Sequence, residues 1–229
     1  MVRRIISFVV SKLRGETFVV DNNIPLLYML RLLVLKAVHL IYGLLLMHHN
    51  KCFISPRATI HCIGKIRTHG FLMVAKGAEI DALSTDGVNF GNGVSIGEGT
   101  RVLCTGSLKT IGKGITVGNN VGMGEHCHYG CAGGIEIGDN TIVGIYVSMH
   151  SENHVFADLS RPIRNQGVTH KGIKIGRDCW IGAKVTVLDG AIIGNGCVVA
   201  AGAVVRGTFP DNCVIGGVPA KILKYRNND

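Results

Sequence analysis

Residues Ile175 to Val205 read IGRDCW-IGAKVT-VLDGAI-IGNGCV-VAAGAV-V, with an aliphatic residue at every sixth position: Ile175, Ile181, Val187, Ile193, Val199 and Val205. A small residue follows in most units (Gly176, Gly182, Gly194, Ala200). A helix would show spacings of three and four, and an ordinary strand would alternate with period two. A sustained period of six predicts a β-solenoid instead, each unit forming one flat side of a coil. The period returns at Ile137, Val143 and Met149, at Ile111, Val117, Met123 and Tyr129, and at Phe90, Ile96 and Val102. Three such sides close a triangular coil of roughly 18 residues whose repeated aliphatic side chains stack inward. β-Branched residues suit the extended sides. The pairs Gly118-Asn119, Gly138-Asp139 and Gly194-Asn195 suit corners, where φ turns positive.

The chain divides into three parts. Residues 1–50 are aliphatic, basic and helical in pattern; 51–217 are solenoid; 218–229 form a short tail carrying Lys221, Lys224 and Arg226. Between Met149 and Ile173 the polar stretch 150–172 breaks the register and must leave the coil as a loop. The 32 glycines occupy fixed places in the six-residue units and follow no collagen period. The net charge of +9 is uneven: residues 1–51 hold Arg3, Arg4, Lys12, Arg14, Arg31, Lys36 and Lys51 against Glu16 and Asp21. Such an excess favours anionic partners. Aromatic residues are few and not interleaved with basic ones, which argues against nucleic acid. The eight cysteines form no CxxC pair and read as reduced, buried thiols of a cytoplasmic protein. The apolar run Ile5 to Val10 is too short for an export signal.

From Ile24 to Met47 the chain is apolar enough to concern a membrane. Arg31, Tyr42, Tyr28, His39 and Lys36 fall in one helical sector, leaving a broad apolar face. Three dispositions follow: packing on the solenoid end, lying in the plane of a membrane surface, or spanning it. Spanning would centre two cations in hydrocarbon at about 2.5–3.5 kcal/mol each.

The Ile-Gly units, the step Cys179-Trp180-Ile181-Gly182 and the closing Gly216-Gly217-Val218-Pro219-Ala220-Lys221 resemble the hexapeptide-repeat acyltransferases. The likeness is to the branch with maltose, galactoside and xenobiotic O-acetyltransferases and the sugar O-acetyltransferases of polysaccharide assembly. It covers roughly residues 85–225. The resemblance implies an all-β fold, a left-handed parallel β-helix, with the N-terminal helical segment outside the likeness. It further implies a homotrimer with sites between subunits, acetyl-CoA as donor, and a histidine that deprotonates the acceptor hydroxyl.

Moving an acetyl group from a thioester to a hydroxyl needs a base, donors for the developing oxyanion, and a groove for the cofactor arm. Neutral imidazole suits the first task near neutral pH. The stretch Ser148-Met149-His150-Ser151-Glu152-Asn153-His154 offers two histidines at the root of the loop. Asn153-His154 matches the family form, so His154 is the expected base and His150 the reserve. One 18-residue coil back from Met149 lies Cys131, which brings the cluster Glu125 to Cys131 beside the base. Alternation points His126 and His128 outward, and Glu125, His126, His128 and Asn153 are the expected acceptor contacts. For the donor the resemblance implies Trp180, the small residues Ala183, Ala201 and Gly202 along the pantetheine arm, and Lys221 at the phosphates, with Lys224 and Arg226 less so.

The expected activity is therefore O-acetylation of a saccharide, a surface polysaccharide or a lipid-linked sugar precursor, at the inner face of a membrane. No metal is expected. N-acetylation of an amino sugar would use the same base and groove. A zinc enzyme like the carbonic anhydrases of related helices would draw on His126, His128, Cys131 and His150. A trimeric scaffold would use none of these residues.

Overall fold

The structure is a computed structural model that describes residues 2–14, 17–49 and 51–226. The solenoid consists of three sheets whose strands come from successive coils. One has nine strands, from Cys52–Ile54 to Ala220–Tyr225; the second has seven, from Thr59–His61 to Val204–Val205; the third has seven, from Ile66–Thr68 to Thr208–Phe209. Every pairing along these three sheets is parallel except the last of the nine-stranded one. Backbone hydrogen bonds therefore run from coil to coil, and the side chains that point inward make one continuous core. Ile175, Ile181, Val187, Ile193, Val199 and Val205 are all buried, as are Val143, Met149, Val117, Met123, Phe90, Ile96 and Val102.

Coil length is not constant. Trp180 pairs with Val198, eighteen residues on. Gly122 pairs with Ile142, twenty on, and Ser95 with Gly122, twenty-seven on. Ile142 pairs with Trp180, thirty-eight on, because that coil carries the excursion loop. The 27-residue coil corrects one expected core position: Ile111 is exposed. It falls where the chain swings outward after Cys104, before the strand Gly112–Val117 rejoins the third sheet.

The corners divide labour more finely than a positive φ at each Gly-Asn pair. The left-handed residue is the next one, Asn120, Asn140 or Gly196. Asn119, Asp139 and Asn195 instead form a side-chain ladder: Asn119 Oδ1 accepts from Asn92 N (2.8 Å), Asp139 Oδ1 from Asn119 N (2.6 Å) and Asn195 Oδ1 from Arg177 N (3.0 Å). Gly138 is there for close approach, since a Cβ on it would lie 2.6 Å from Arg177 N.

The N-terminal part contains two helices, α1 (Val2–Arg14) and α2 (Leu26–Met47). Residues Met1–Val38 make one compact unit and His39–Asp229 another. Within the first, the segment after α1 folds back on it: Val20 N donates to Ser7 Oγ (3.0 Å) and Phe18 N to Ser11 Oγ (2.8 Å). Leu27, Val34 and other apolar side chains of α2 are exposed, and this helix is long and apolar enough to cross a membrane. Within the second unit, Tyr42, Leu46 and Met47 of the last turns pack on the solenoid core. Gly43 lies so close to the Cys52 carbonyl that no Cβ would fit. At the far end the tail is a strand, Ala220–Tyr225, running antiparallel to Cys213–Gly217 and covering that edge.

Candidate active site

The excursion leaves the coil at the end of Ser148–His150, a strand of the second sheet lying between His128–Gly130 and Thr186–Leu188. Outward along this sheet Ser148 neighbours His128, and His150 neighbours Gly130. Gly130 lacks a side chain, and the two imidazoles lean together over it with ring centres 5.4 Å apart. His150 Nε2 and Ser148 Oγ are hydrogen-bonded at 2.7 Å. Burial first, then the nearby His150 and Arg101, lower the His128 pKa, so its imidazole is neutral at neutral pH. Arg101 itself is held by Glu79 at 2.7 Å.

His154 stands past the neck of the loop, exposed, in a two-residue strand with Asn153 that runs antiparallel to Val168–Thr169. The neck is tightly bonded. Ser151 is fully buried; its Oγ donates to the Gly130 carbonyl (2.7 Å) and accepts from Gly133 N (2.9 Å). His170 Nε2 meets Glu152 Oε2 at 3.1 Å, joining the two limbs. The buried Asp189 carboxylate accepts from Thr169 Oγ1, Lys171 N and Gly172 N. Sequence reasoning missed Ser151, Glu152, His170, Thr169 and Asp189. The partners of Asp189 lie across the loop, and only the fold brings them to it.

Three expectations need correction. The coil beneath Met149 is twenty residues long, so its neighbour is Tyr129 and not Cys131. Cys131 lies wholly inside the core, which removes it from any outer ligand set. Among the described residues no three His, Cys, Asp or Glu side chains converge as a metal site would need. His126 does not simply continue the His128 wall by alternation: it sits at a corner with φ 53° and stacks on Tyr146 at 5.3 Å, while His128 pairs with His150. Glu125 is exposed beside it.

On the donor side, Trp180 is 57 % exposed on the outer face of the nine-stranded sheet, between Ile142 and Val198. Ala183 and Gly202 are neighbours in successive coils, Gly202 N donating to the Ala183 carbonyl at 2.9 Å. Ala201 and Gly202 are exposed, and nothing stands within 4 Å of where a Gly202 Cβ would be. This corner is a backbone edge with open space beside it. Lys221 is exposed on the closing strand, opposite Gly216. Arg226 is not a free cation: its guanidinium donates to the Gly196 carbonyl and its backbone N–H to Asn212 O.

Comparison with known proteins fits this architecture. The profile of the bacterial transferase hexapeptide (six repeats) family matches residues 172–207. A putative lipopolysaccharide biosynthesis O-acetyl transferase of Escherichia coli is 35 % identical over 62 % of this chain and 74 % of its own length. A probable acetyltransferase of Mycobacterium tuberculosis is 44 % identical, over 40 % of this chain and only 31 % of its own. The galactoside O-acetyltransferase of Escherichia coli is 30 % identical, over 41 % of this chain and 45 % of its own. The chain thus spans less than half of two of these relatives. In fold it is similar to an N-acyltransferase of Bacillus cereus solved with dTDP and 3-hydroxybutyryl-CoA, with a TM-score of 0.53 at 19 % identity, covering 76 % of this chain and 79 % of that one. The solenoid is the left-handed parallel β-helix that these repeats build. With a repeat profile on its most regular coils and a relative matched over 74 % of that relative's length, the chain belongs to the hexapeptide-repeat acyltransferase family.

Proposed function

We propose that the protein is an acetyl-CoA-dependent O-acetyltransferase acting on a saccharide hydroxyl, with His154 as general base. The observation that supports this reading is the loop neck: His154 is exposed on a loop that leaves the coil at Ser148–His150, with its flanking limbs tied to the coil by Ser151, Glu152–His170 and Asp189. Neutral imidazole takes the proton of the acceptor hydroxyl as its oxygen attacks the thioester carbonyl. The tetrahedral adduct collapses, the C–S bond breaks, and the CoA thiolate leaves with the proton returned from the imidazolium. Such a base contributes about 10²–10⁴-fold. Glu125, His128 and Asn153 face the acceptor, while Trp180, the Ala183–Ala201–Gly202 edge and Lys221 serve the donor. The O-acetyl transfer named for the Escherichia coli relatives supports this choice of reaction. The working form is a trimer, whose grooves between copies complete each site.

The test is CoA release from acetyl-CoA with a panel of hexoses and amino sugars. His154→Ala is expected to lower kcat by at least about 10²-fold and His150→Ala by much less. A His154→Ala protein with native turnover refutes the assignment. Acetylation confined to the amino group of amino sugars redirects the chemistry to nitrogen.

The exposed leucines of α2 and the basic first fifty residues support an acceptor carried on a lipid, with α2 lying at a membrane surface in the cytoplasm. Full-length protein recovered wholly in the soluble fraction, without detergent or salt washing, overturns this part.

A further inference from the structure

We propose that Asp189 is a positioning residue: it latches the return limb of the excursion loop to the coil and thereby fixes where His154 stands. The inference rests on His154 being the base. A catalytic group must be held within about 0.5 Å and 10–20° of its working geometry. The stretch from Asn153 to Thr169 is mostly exposed and contributes nothing to the solenoid core. Its tip is braced from within, Gln166 bonding to Asp158 and Arg161, but its position against the coil is set at the neck.

The outgoing limb needs little explanation, because Ser151 continues directly from a core strand. The return limb has no such strand behind it until Ile173. Asp189 fills this gap. It is 8 % exposed, and burying a carboxylate is costly unless its oxygens are filled. Here all the donors come from one short stretch. Oδ1 accepts from Lys171 N (2.9 Å) and Gly172 N (2.8 Å), and Oδ2 from Lys171 N (3.1 Å) and Thr169 Oγ1 (3.2 Å). The next residue, Gly190, has φ 80° and donates to the Gly172 carbonyl at 2.8 Å. Charge-assisted bonds of this kind are the strong ones, and they are aimed at the loop and not at the solenoid.

The path from latch to base is short. Thr169, whose hydroxyl reaches the carboxylate, lies opposite Asn153 in the antiparallel pair, and Val168 lies opposite His154. Val155 N continues the ladder to the Gly167 carbonyl at 3.0 Å. Releasing Thr169 frees the strand against which His154 is registered.

Asp189→Asn keeps the shape but removes the charge: with Oδ1 retained for Lys171 N and Gly172 N, the new amide loses the second Lys171 N bond and reverses the Thr169 one, the hydroxyl now accepting. The full chain is examined by amide hydrogen exchange and by steady-state kinetics. Exchange at 153–155 and 167–172 is expected to quicken at least about 10-fold, with kcat down about 10–100-fold and the KM for acetyl-CoA within about twofold. Thr169→Val, which keeps the backbone bonds, is expected to fall between this variant and the native protein on both readouts. Native exchange protection in Asp189→Asn overturns the latch, and a loosened loop with undiminished kcat overturns the positioning role. Failure of the base reading shows separately, as an active His154→Ala protein, and the exchange measurement still decides whether Asp189 holds the loop.

Discussion

Tyr129 lies on the strand that carries His128 and Gly130, with its ring turned inward and 0 % exposed. Its hydroxyl has no nitrogen or oxygen partner. The Cys127 thiol is among its neighbours, a weak partner at best. Burial, then the Cys127 and Cys131 thiols, hold the phenol far above its ordinary pKa, so it carries a proton it donates to no strong acceptor. An unpaired hydroxyl in an apolar interior costs about 1–3 kcal/mol on mutational scales. The thiol contact returns part of this. Removing one oxygen leaves a void far smaller than a methyl group, costing a few tenths of a kcal/mol. Tyr129→Phe is therefore expected to stabilise the protein by about 1 kcal/mol, raising Tm by about 2–4 °C for a chain of this size. Thermal unfolding at one fixed protein concentration measures it, because assembly would shift Tm with concentration. Turnover is expected to be unchanged, since the ring still fills the space beneath His128. A variant less stable by 1 kcal/mol or more would refute the reasoning and point to a buried water bonded to the hydroxyl.

Burial also raises the thiol pKa values of Cys52 and Cys179 to about 11, so neither offers thiolate near pH 8. Cys62 is the exposed cysteine of the chain, and a thiol reagent at pH 8 is expected to find one fast-reacting group per native chain and eight after denaturation. The same shifts leave stability flat up to about pH 9 and lower it above, because the unfolded thiols ionise first. For His128 the sign is opposite. Its folded pKa is depressed below 6.5, so its contribution is complete above 6.5 and is lost as pH falls through that value, the unfolded imidazole binding the proton more readily. Comparing Tm against pH for the native protein and His128→Gln is expected to show a shallower acid slope in the variant, and equal slopes would count against the assignment. Gly138→Ala, which drives a Cβ to 2.6 Å from Arg177 N, is expected to destabilise by about 1–3 kcal/mol. Gly64→Ala, with nothing within 4 Å, is expected to stay within about 0.5 kcal/mol. Thermal unfolding of the two distinguishes close approach from a general intolerance of side chains at repeat glycines.

What the sequence revealed and what it hid divide along a physical line. Inward positions such as Ile181, Val187 and Val199 were legible because a buried stack needs the same kind of side chain at the same place in every coil. Asn119, Asp139 and Asn195 were legible as corner residues, but their role in bonding the next coil was not, since that depends on a neighbour twenty or so residues away. The site suffered more. Placing Cys131 under Met149 assumed an eighteen-residue coil, and two extra residues put Tyr129 there instead. His126 looked equivalent to His128 by alternation, yet it sits at a corner with a left-handed backbone and stacks on Tyr146. Asp189 carries no signal of its own in the repeat; its meaning comes from Thr169, Lys171 and Gly172, which only the closed loop brings within reach.

The irregular coils also explain why repeat and activity can be read separately. An insertion at a corner leaves the inward stack intact: Val143 still pairs with Ile181 across thirty-eight residues, as Ile181 does with Val199 across eighteen. Extra length is therefore expelled outward at little cost to the core, loop closure growing only slowly with length. A loop added this way gains no order from the core and must be tied by its own hydrogen bonds, which is what Ser151, the Glu152–His170 pair and Asp189 provide. The most regular coils, 172–207, carry the family signature because nothing there departs from the scaffold. The proposed base, His154, lies on such a segment, so its placement depends on those bonds and not on the repeat.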